Sequence, residues 1–368
     1  MSIMYYSADV APRRASQREI NRFAVRLWLW FVALMVVALV VVGGATRLTE
    51  SGLSITEWKP IHGIIPPLSH AEWQEEFDLY RQIPQYQQIN RGMSLSEFQT
   101  IFWWEWAHRF LARAVGVAFA LPLAFFWLTG RLESFLKPRL LGILALGAFQ
   151  GGIGWWMVAS GLVERTDVSQ YRLAVHLTVA CLILASIVWV ARGLTPQPLE
   201  APPSRGSIAA SLVLVALCFL QIYLGGIVAG LNAGLIYNTW PLMEGQLVPN
   251  GLWSMQPWWV NPFENYMTAQ FLHRLGAYLL LAATVIHCIA AYVQAPETSH
   301  ARRSAILVGL VLVQAAIGIT TLLLVVPIGW GIAHQAGAVV VLIYAVAHAR
   351  SMKGEYSESG RTPASILG

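Results

Sequence analysis

The chain contains 368 residues, of which 56% are hydrophobic and only 12% are charged, against roughly 25% charged residues in an average soluble domain. This composition excludes a water-soluble globule and predicts an all-α polytopic membrane protein that has the lipid bilayer as a partner. The formal charge of +5 does not indicate a nucleic-acid partner, because the basic residues are dispersed between apolar stretches, where they set the orientation of membrane spans. All three cysteines lie in apolar stretches without a CxxC or CxxCH motif, which predicts packing roles.

Eight stretches are apolar enough and long enough for a helix to cross a hydrocarbon core of ~30 Å, which takes roughly 20 residues. The 45 residues from Ala305 to Ala349 carry no charge and are too long for one crossing, so we predict a turn near Pro327. In chain order the predicted spans are Arg26 to Ala45, Trp103 to Thr129, Leu140 to Leu162, Tyr171 to Ala191, Ile208 to Gly230, Ala269 to Val293, Ser304 to Val326 and Gly329 to Ala349.

The connections on the two sides differ in their content of Lys and Arg. One side carries fourteen of these residues, including Arg13, Arg14 and Arg361, and the other side carries six. Because cytoplasmic connections are enriched in them, we predict a multi-pass protein of the bacterial plasma (inner) membrane with both termini in the cytoplasm. The first outer connection, Thr46 to Phe102, is long and rich in Trp, Glu, Gln and Pro, and we expect it to fold over the outer face.

Motifs of the first half recur in the second half. Gly43-Gly44, Gly52-Leu53, Trp58 and Gly63 recur 182 residues later as Gly225-Gly226, Gly234-Leu235, Trp240 and Gly245, and further on His108-Arg109 recurs as His273-Arg274, Gln150 with Gly154 as Gln314 with Gly318, and His176 as His334. Each copy has an even number of spans, so the halves share one orientation and are expected to be related by an axis along the membrane normal. We therefore predict two tandem, pseudo-twofold-related four-helix bundles, residues 1–205 with the long outer loop and residues 206–368.

The repeat preserves two histidines in each half: His108 and His176, then His273 and His334. Each lies about five residues inside the outer end of its span, roughly 8 Å below the outer boundary. A lone histidine in a membrane more often bridges helices than binds metal, but two per bundle at one depth indicate a cofactor site. Zinc would need a third and usually a fourth ligand, whereas haem asks the protein for one or two axial ligands, so haem fits the pattern best.

Two arginines follow histidines of this set directly. Arg109 and Arg274 lie near the outer interface, where a guanidinium group can bind haem propionates. The alternative is that each side chain only extends to the interface.

One position breaks the symmetry of the repeat. Glu105 precedes His108 by one helical turn, and its counterpart before His273 is the neutral Gln270. A carboxylate near the membrane interior is costly and usually functional, which predicts proton chemistry in the first bundle only. The alternative is that Glu105 orients a neighbouring arginine.

Two further features leave alternatives open. His287 and His348 each follow a histidine of the set by fourteen residues, a spacing that fits either a second, inner haem or, as we favour, ordinary interfacial placement. Gly151-Gly152-Ile153-Gly154 and Gly225-Gly226 are candidates for close helix approach, although we favour plain packing as their explanation.

A family resemblance emerges from these residues taken together. The run Gly43 to Ser54, continuing to Trp58-Lys59-Pro60, with Glu105-Trp106-Ala107-His108-Arg109 and the later His176, His273 and His334, resembles the haem A synthase family. The long outer connection is similar to that of the branch shared by proteobacteria and mitochondria. The chain has no cysteine before Cys181, so it lacks the cysteine pair that another branch carries in this connection.

This resemblance implies a function and a set of ligands. It implies a non-covalent, bis-histidine haem b held by His273 and His334, and a substrate haem O between His108 and His176, whose C8 methyl group is oxidised to the formyl group of haem A. Glu105 would accept a proton or stabilise positive charge during that reaction. Haem O synthase and oxidase assembly factors are the protein partners that it suggests.

Two other functions are compatible with paired histidines. A cytochrome b-like electron carrier would also use His287 and His348 as ligands. A haem transporter would leave every histidine pair without a permanently bound haem.

Overall fold

The computed structural model describes residues 16–59, 62–198 and 200–357, which are almost entirely helical. Eight helices in these ranges have the length and apolar composition to cross a membrane, which confirms the predicted number of spans. The helices are α1 (Gln17–Leu48), α2 (His70–Tyr80), α3 (Pro84–Gln88), α4 (Leu95–Leu128), α5 (Leu136–Val158), α6 (Gln170–Gly193), α7 (Arg205–Gly230), α8 (Asn261–Glu264), α9 (Tyr266–Gln294), α10 (Ser299–Leu323) and α11 (Ile328–Ser351). Arg13, Arg14, Pro60 and Arg361, which the sequence analysis used, lie outside the described residues.

Capping residues in the polar segments extend several helices beyond the predicted spans. α4 begins at Leu95 rather than Trp103, because the Ser94 hydroxyl accepts the backbone N–H of Glu97 while the Glu97 carboxylate accepts the backbone N–H of Ser94. Its 34 residues give a length of ~51 Å, well above a hydrocarbon core of ~30 Å. The first turns of α4 therefore belong to the outer connection.

The spanning helices of each half close into a ring. α1 packs on α4 and α6, and α5 packs on both α4 and α6; in the second half α7 packs on α9 and α11, and α10 on both α9 and α11. The two rings meet where α6 contacts α7 and α11, and where α1 contacts α11. The pseudo-twofold relation between the halves, and the domain boundary at residue 205, stay predictions.

The apolar core occupies the end of the bundle that lies away from the outer connection. Its fully or almost fully buried side chains include Leu29 of α1, Leu123 of α4, Leu140 of α5, Leu184 of α6 and Leu342 of α11. On α4, α6 and α11 the buried leucine lies at least two helical turns from the predicted histidine of the same helix. α1 and α5 carry no histidine of the predicted set. The histidine layer therefore lies above this core.

The first outer connection is folded, as expected from its composition. Tyr80 and Phe98 are completely buried and Phe77 nearly so, and the rings of Phe77 and Phe98 stack with their centroids 4.9 Å apart. The Gln85 amide donates a hydrogen bond of 3.0 Å to the backbone oxygen of Glu50, just beyond α1. This small aromatic core fixes the connection above the first ring of helices.

Glycines allow α7 to approach α6 closely. A methyl group on Gly230 would lie 2.6 Å from the Cα of Gln170, and one on Gly226 would lie 2.9 Å from the Cα of Ala174. Gly151 and Gly152 have no such neighbour within 4 Å. Close helix approach is thus correct for Gly226 and wrong for Gly151 and Gly152, whose side of α5 faces open space.

Gly230→Ala is expected to lower the free energy of unfolding by about 1–3 kcal/mol, because the added methyl group must displace the backbone of α6 rather than a flexible side chain. Gly147→Ala in α5 is the matched control, since nothing lies within 4 Å of the added methyl group. Denaturant unfolding of both purified variants in the same detergent measures the difference. Equal stability of the two variants would contradict the tight α6–α7 contact.

Candidate haem-binding site

Each of the four histidines lies against a glycine of the neighbouring helix. An added Cβ at Gly43 would be 3.0 Å from the His108 ring, and one at Gly154 would be 3.1 Å from the His176 ring. The second half repeats this arrangement, with 3.1 Å between Gly225 and His273 and 2.6 Å between Gly318 and His334. The repeated glycines of the sequence therefore make room for the repeated imidazoles, and any side chain in their place would fill the cradle.

The two histidines of the second half face each other across a short gap. The ring centroids of His273 and His334 are 6.2 Å apart and the ring planes make an angle of 84°. Two imidazoles on opposite faces of one metal ion, with bonds of about 2.0 Å, have centroids roughly 6 Å apart. This pair therefore fits a single iron atom between the rings.

Three of the four histidines contact a glutamine of the adjacent helix. The amide nitrogen of Gln150 lies 3.0 Å from Nδ1 of His176 and donates to its backbone oxygen at 2.8 Å. Gln314 makes the same two contacts with His334 at 3.1 and 2.7 Å. Gln221 lies 3.1 Å from Nδ1 of His273, 3.4 Å from its Nε2 and 2.9 Å from its backbone oxygen. The sequence analysis found Gln150 and Gln314 as repeated residues without a role, and it missed Gln221.

Glu105 is 2% exposed, and both of its oxygens are occupied. Oε2 accepts hydrogen bonds from the Ser54 hydroxyl at 2.8 Å and from the backbone N–H of Ile55 at 2.9 Å. Oε1 accepts from Arg109 at 2.7 and 3.1 Å. The carboxylate thus ties α4 to the segment that follows α1, one turn from His108.

The two arginines are held in related ways but differ in their remaining donors. Arg109 also donates to the backbone oxygens of Ile55 and Glu57, at 2.8 and 3.1 Å. Arg274 donates to the backbone oxygen of Tyr237 at 2.9 Å and to the Gln270 amide oxygen at 3.0 Å. Its Nε and Nη1 are buried without a hydrogen-bond partner in the described part of the chain. Unpaired buried guanidinium donors suit an anionic group such as a propionate.

His287 and His348 lie inside the protein, while the interfacial depth that the sequence favoured for them stays a prediction. They are 4% and 1% exposed, and their Nε2 atoms are 2.9 Å apart in a direct hydrogen bond. Two metal–nitrogen bonds of about 2.0 Å would need roughly 4 Å between these atoms, so the pair does not hold an iron atom in this arrangement. The two Nε2 atoms are thus paired with each other, while Nδ1 of His348 is buried without a hydrogen-bond partner in the described part of the chain.

A comparison with known protein families identifies the family of this chain. A family model described as cytochrome oxidase assembly protein, COX15-CtaA, matches residues 26–346. The chain belongs to the COX15-CtaA family. The resemblance that the sequence motifs indicated is thereby confirmed, and the chain is a multi-pass membrane protein of this family.

Several relatives of this COX15-CtaA chain are similar over nearly its whole length, and each bears the name Heme A synthase. The protein of Sinorhizobium medicae is 64% identical over 354 residues, and that of Rhizobium meliloti is 63% identical, each alignment covering 95% of this chain and 96% of the relative. The protein of Agrobacterium fabrum is 60% identical over 351 residues, with the same two coverages.

Arg109→Ala is expected to reduce the free energy of unfolding by about 3 kcal/mol, because it leaves the buried Glu105 carboxylate without its cation. Arg274→Ala is the matched comparison and is expected to cost only about 1 kcal/mol, since its partner Gln270 is neutral. The double variant Glu105→Gln with Arg109→Ala should recover part of the loss. Denaturant unfolding measures all three, and an equal cost for the two arginine variants would contradict a charged Glu105.

Proposed function

We propose that this protein is a haem A synthase that oxidises the C8 methyl group of haem O to a formyl group. The observation that carries the proposal is the pair of glycine-seated imidazoles in each half, with His273 and His334 at the separation that one iron atom needs. The family match and the shared name of the relatives support the same function.

In this proposal His273 and His334 hold a resident, non-covalently bound haem b. The glycine cradles fit two axial imidazoles, and the unpaired donors of Arg274 fit a propionate. When bound, haem b supplies a one-electron carrier within the membrane. The protein's own contribution is to keep both imidazoles facing the gap and to exclude other ligands from it.

His108 and His176 bind the substrate haem O in the first bundle. Gly154 seats His176 as the glycines of the second bundle seat their histidines, with Cε1 nearest the glycine, whereas the His108 atom nearest Gly43 is Nε2. Conversion of the methyl group to a formyl group with an oxygen atom taken from water would release electrons and protons at each oxidation, and an electron acceptor outside this chain would take up the electrons. In this proposal one scaffold holds a resident haem in the second bundle and a substrate haem in the first.

Glu105 supplies the negative charge that distinguishes the substrate bundle from its neighbour. Because both oxygens already accept hydrogen bonds, the carboxylate is oriented before substrate arrives, and it stabilises positive charge that develops on the oxidised methyl carbon. Gln270 occupies the corresponding place beside His273 without that charge. Arg109 positions the carboxylate and is itself occupied by backbone oxygens, so it is a weaker candidate for a propionate than Arg274.

The remaining parts of the proposal concern location and partners. The excess of Lys and Arg in one set of connections supports cytoplasmic termini in the bacterial plasma membrane. A haem A synthase receives haem O and delivers haem A, so contact with haem O synthase and with oxidase assembly factors follows from its substrate and product. The electron-carrier alternative loses its main support, because His287 and His348 bond to each other.

His273→Ala and His334→Ala are each expected to abolish stoichiometric haem b, because one of the two imidazoles that would hold the iron is lost. The extracted haem, measured as its pyridine complex, gives the b-type content per chain. His287→Gln is the control and should retain full haem b content. An unchanged content in either alanine variant would refute the ligand assignment.

Glu105→Gln should leave haem b content unchanged while lowering the conversion of haem O to haem A by at least ~100-fold, the loss typical of removing one preorganised electrostatic group. Chromatography of haems extracted after incubation with haem O measures the conversion. Glu97→Gln, a change of an exposed carboxylate on the same helix, is the control. Full conversion by the Glu105 variant would show that the carboxylate has only a structural role.

A further inference from the structure

The three glutamine contacts follow a common pattern. In each, one amide nitrogen bridges Nδ1 and the backbone oxygen of the same histidine: Gln150 with His176, Gln221 with His273, and Gln314 with His334. An amide that contacts both atoms fixes the rotation of the imidazole relative to its own helix. Nδ1 is the ring nitrogen nearer to the glutamine in all three, which makes Nε2 the candidate ligand atom, although the Gln221 amide also lies 3.4 Å from Nε2 of His273.

Each glutamine also carries an acceptor atom close to the ring. The Oε1 atoms of Gln150, Gln221 and Gln314 are buried and have no hydrogen-bond partner among the described residues. A half-turn of the amide would bring Oε1 to the Nδ1–H of a metal-bound imidazole, but it would also break the hydrogen bond that the amide nitrogen donates to the backbone oxygen. Contacts of this kind typically change metal affinity 10–100-fold.

Among the residues that the structure describes, no glutamine contacts the His108 ring. Gln221 precedes the cradle glycine Gly225 by four residues, and the residue four before Gly43 is Leu39. In the second bundle the amide oxygen of Gln221 occupies the space that a side chain on Gly276 would fill, and Gly276 follows His273 by three residues. The residue three after His108 is Leu111. A glutamine and glycine pair in one bundle is thus replaced by two leucines in the other.

The two bundles differ in how many of their histidines contact a glutamine. The amide oxygen of Gln314 likewise occupies the space beside Gly337, three residues after His334. Gln150 contacts His176, but the residue three after that histidine is Val179. The bundle assigned to resident haem b has a glutamine on both imidazoles, whereas the substrate bundle has a glutamine on one.

We propose that Gln150, Gln221 and Gln314 are positioning residues that hold three imidazoles ready for iron, and that His108 is the ligand that releases when product haem leaves. This inference rests on the proposed function and identifies the ligand that is released when product haem is exchanged for substrate haem. A side chain without a partner on Nδ1 can rotate at little cost, so His108 can let go of a haem while His176 keeps it in place. Both ligands proposed for the resident haem, His273 and His334, have a glutamine at Nδ1.

The first experiment removes a positioning residue from the resident site. Gln221→Leu in the full-length detergent-solubilised protein should retain haem b, shift its midpoint potential, and speed its transfer to apomyoglobin about 10-fold or more. Gln335→Leu is the control, because this glutamine of α11 donates to the backbone oxygen of Val40 and contacts no histidine ring. Unchanged potential and transfer rate in the Gln221 variant would overturn the positioning role.

The second experiment gives His108 the missing residues. Leu39→Gln combined with Leu111→Gly should slow transfer of the haem held by His108 and His176 to apomyoglobin about 10-fold and lower kcat, with the haem b potential unchanged. The single variant Leu39→Gln is tested as well, because glutamine and leucine are nearly equal in size and this variant is less prone to misfold. A full content of haem b shows that each variant is folded. Equal transfer rates in the unmodified protein and both folded variants would overturn His108 as the releasing ligand.

The transfer assay also separates this inference from the proposed function. It is performed without turnover, on unmodified protein loaded with haem O. If the unmodified protein binds a second haem but the Leu39→Gln substitution leaves the release rate of that haem unchanged, only the inference is overturned. Failure of the unmodified protein to bind any haem beyond haem b would overturn both.

Discussion

The whole arrangement depends on the contact between an imidazole and a glycine of the next helix. An imidazole can face the centre of a four-helix bundle only if the neighbouring backbone lies close behind it, and Gly43, Gly154, Gly225 and Gly318 provide that space. A methyl group at any of them would press on the ring, at distances of 2.6–3.1 Å. The duplicated glycines and the duplicated histidines are therefore one structural unit.

On this common scaffold a few substitutions separate the two bundles. Arg109 and Arg274 each donate to a backbone oxygen of the segment after the first helix of their half, at Ile55 and Tyr237. Glu105 adds a buried negative charge that compensates Arg109 in one bundle only. The other bundle keeps guanidinium donors unpaired, and this suits an anionic ligand rather than a charge-stabilised reaction.

Much of this structure could be predicted from sequence because it depends on periodicity and repetition. The eight spans follow from the length of apolar stretches, and the histidine pairs follow from recurrence. The start of α4 could not be placed, since Ser94 lies in polar sequence where hydropathy gives no signal. Gln221 could not be found by recurrence, because the first half has Leu39 there, and the burial of His348 depends on which face of α11 packs inward.

The position of the apolar core has a consequence for the energised membrane. In the first bundle, Leu29, Leu123 and Leu184 seal the helices on the side away from the outer connection, and such a layer offers water and ions no path. The histidine pair lies between this layer and the outer connection. Protons set free there would meet an apolar barrier on the inner side, so we expect them to leave toward the outer connection and not to discharge an ion gradient across the bilayer.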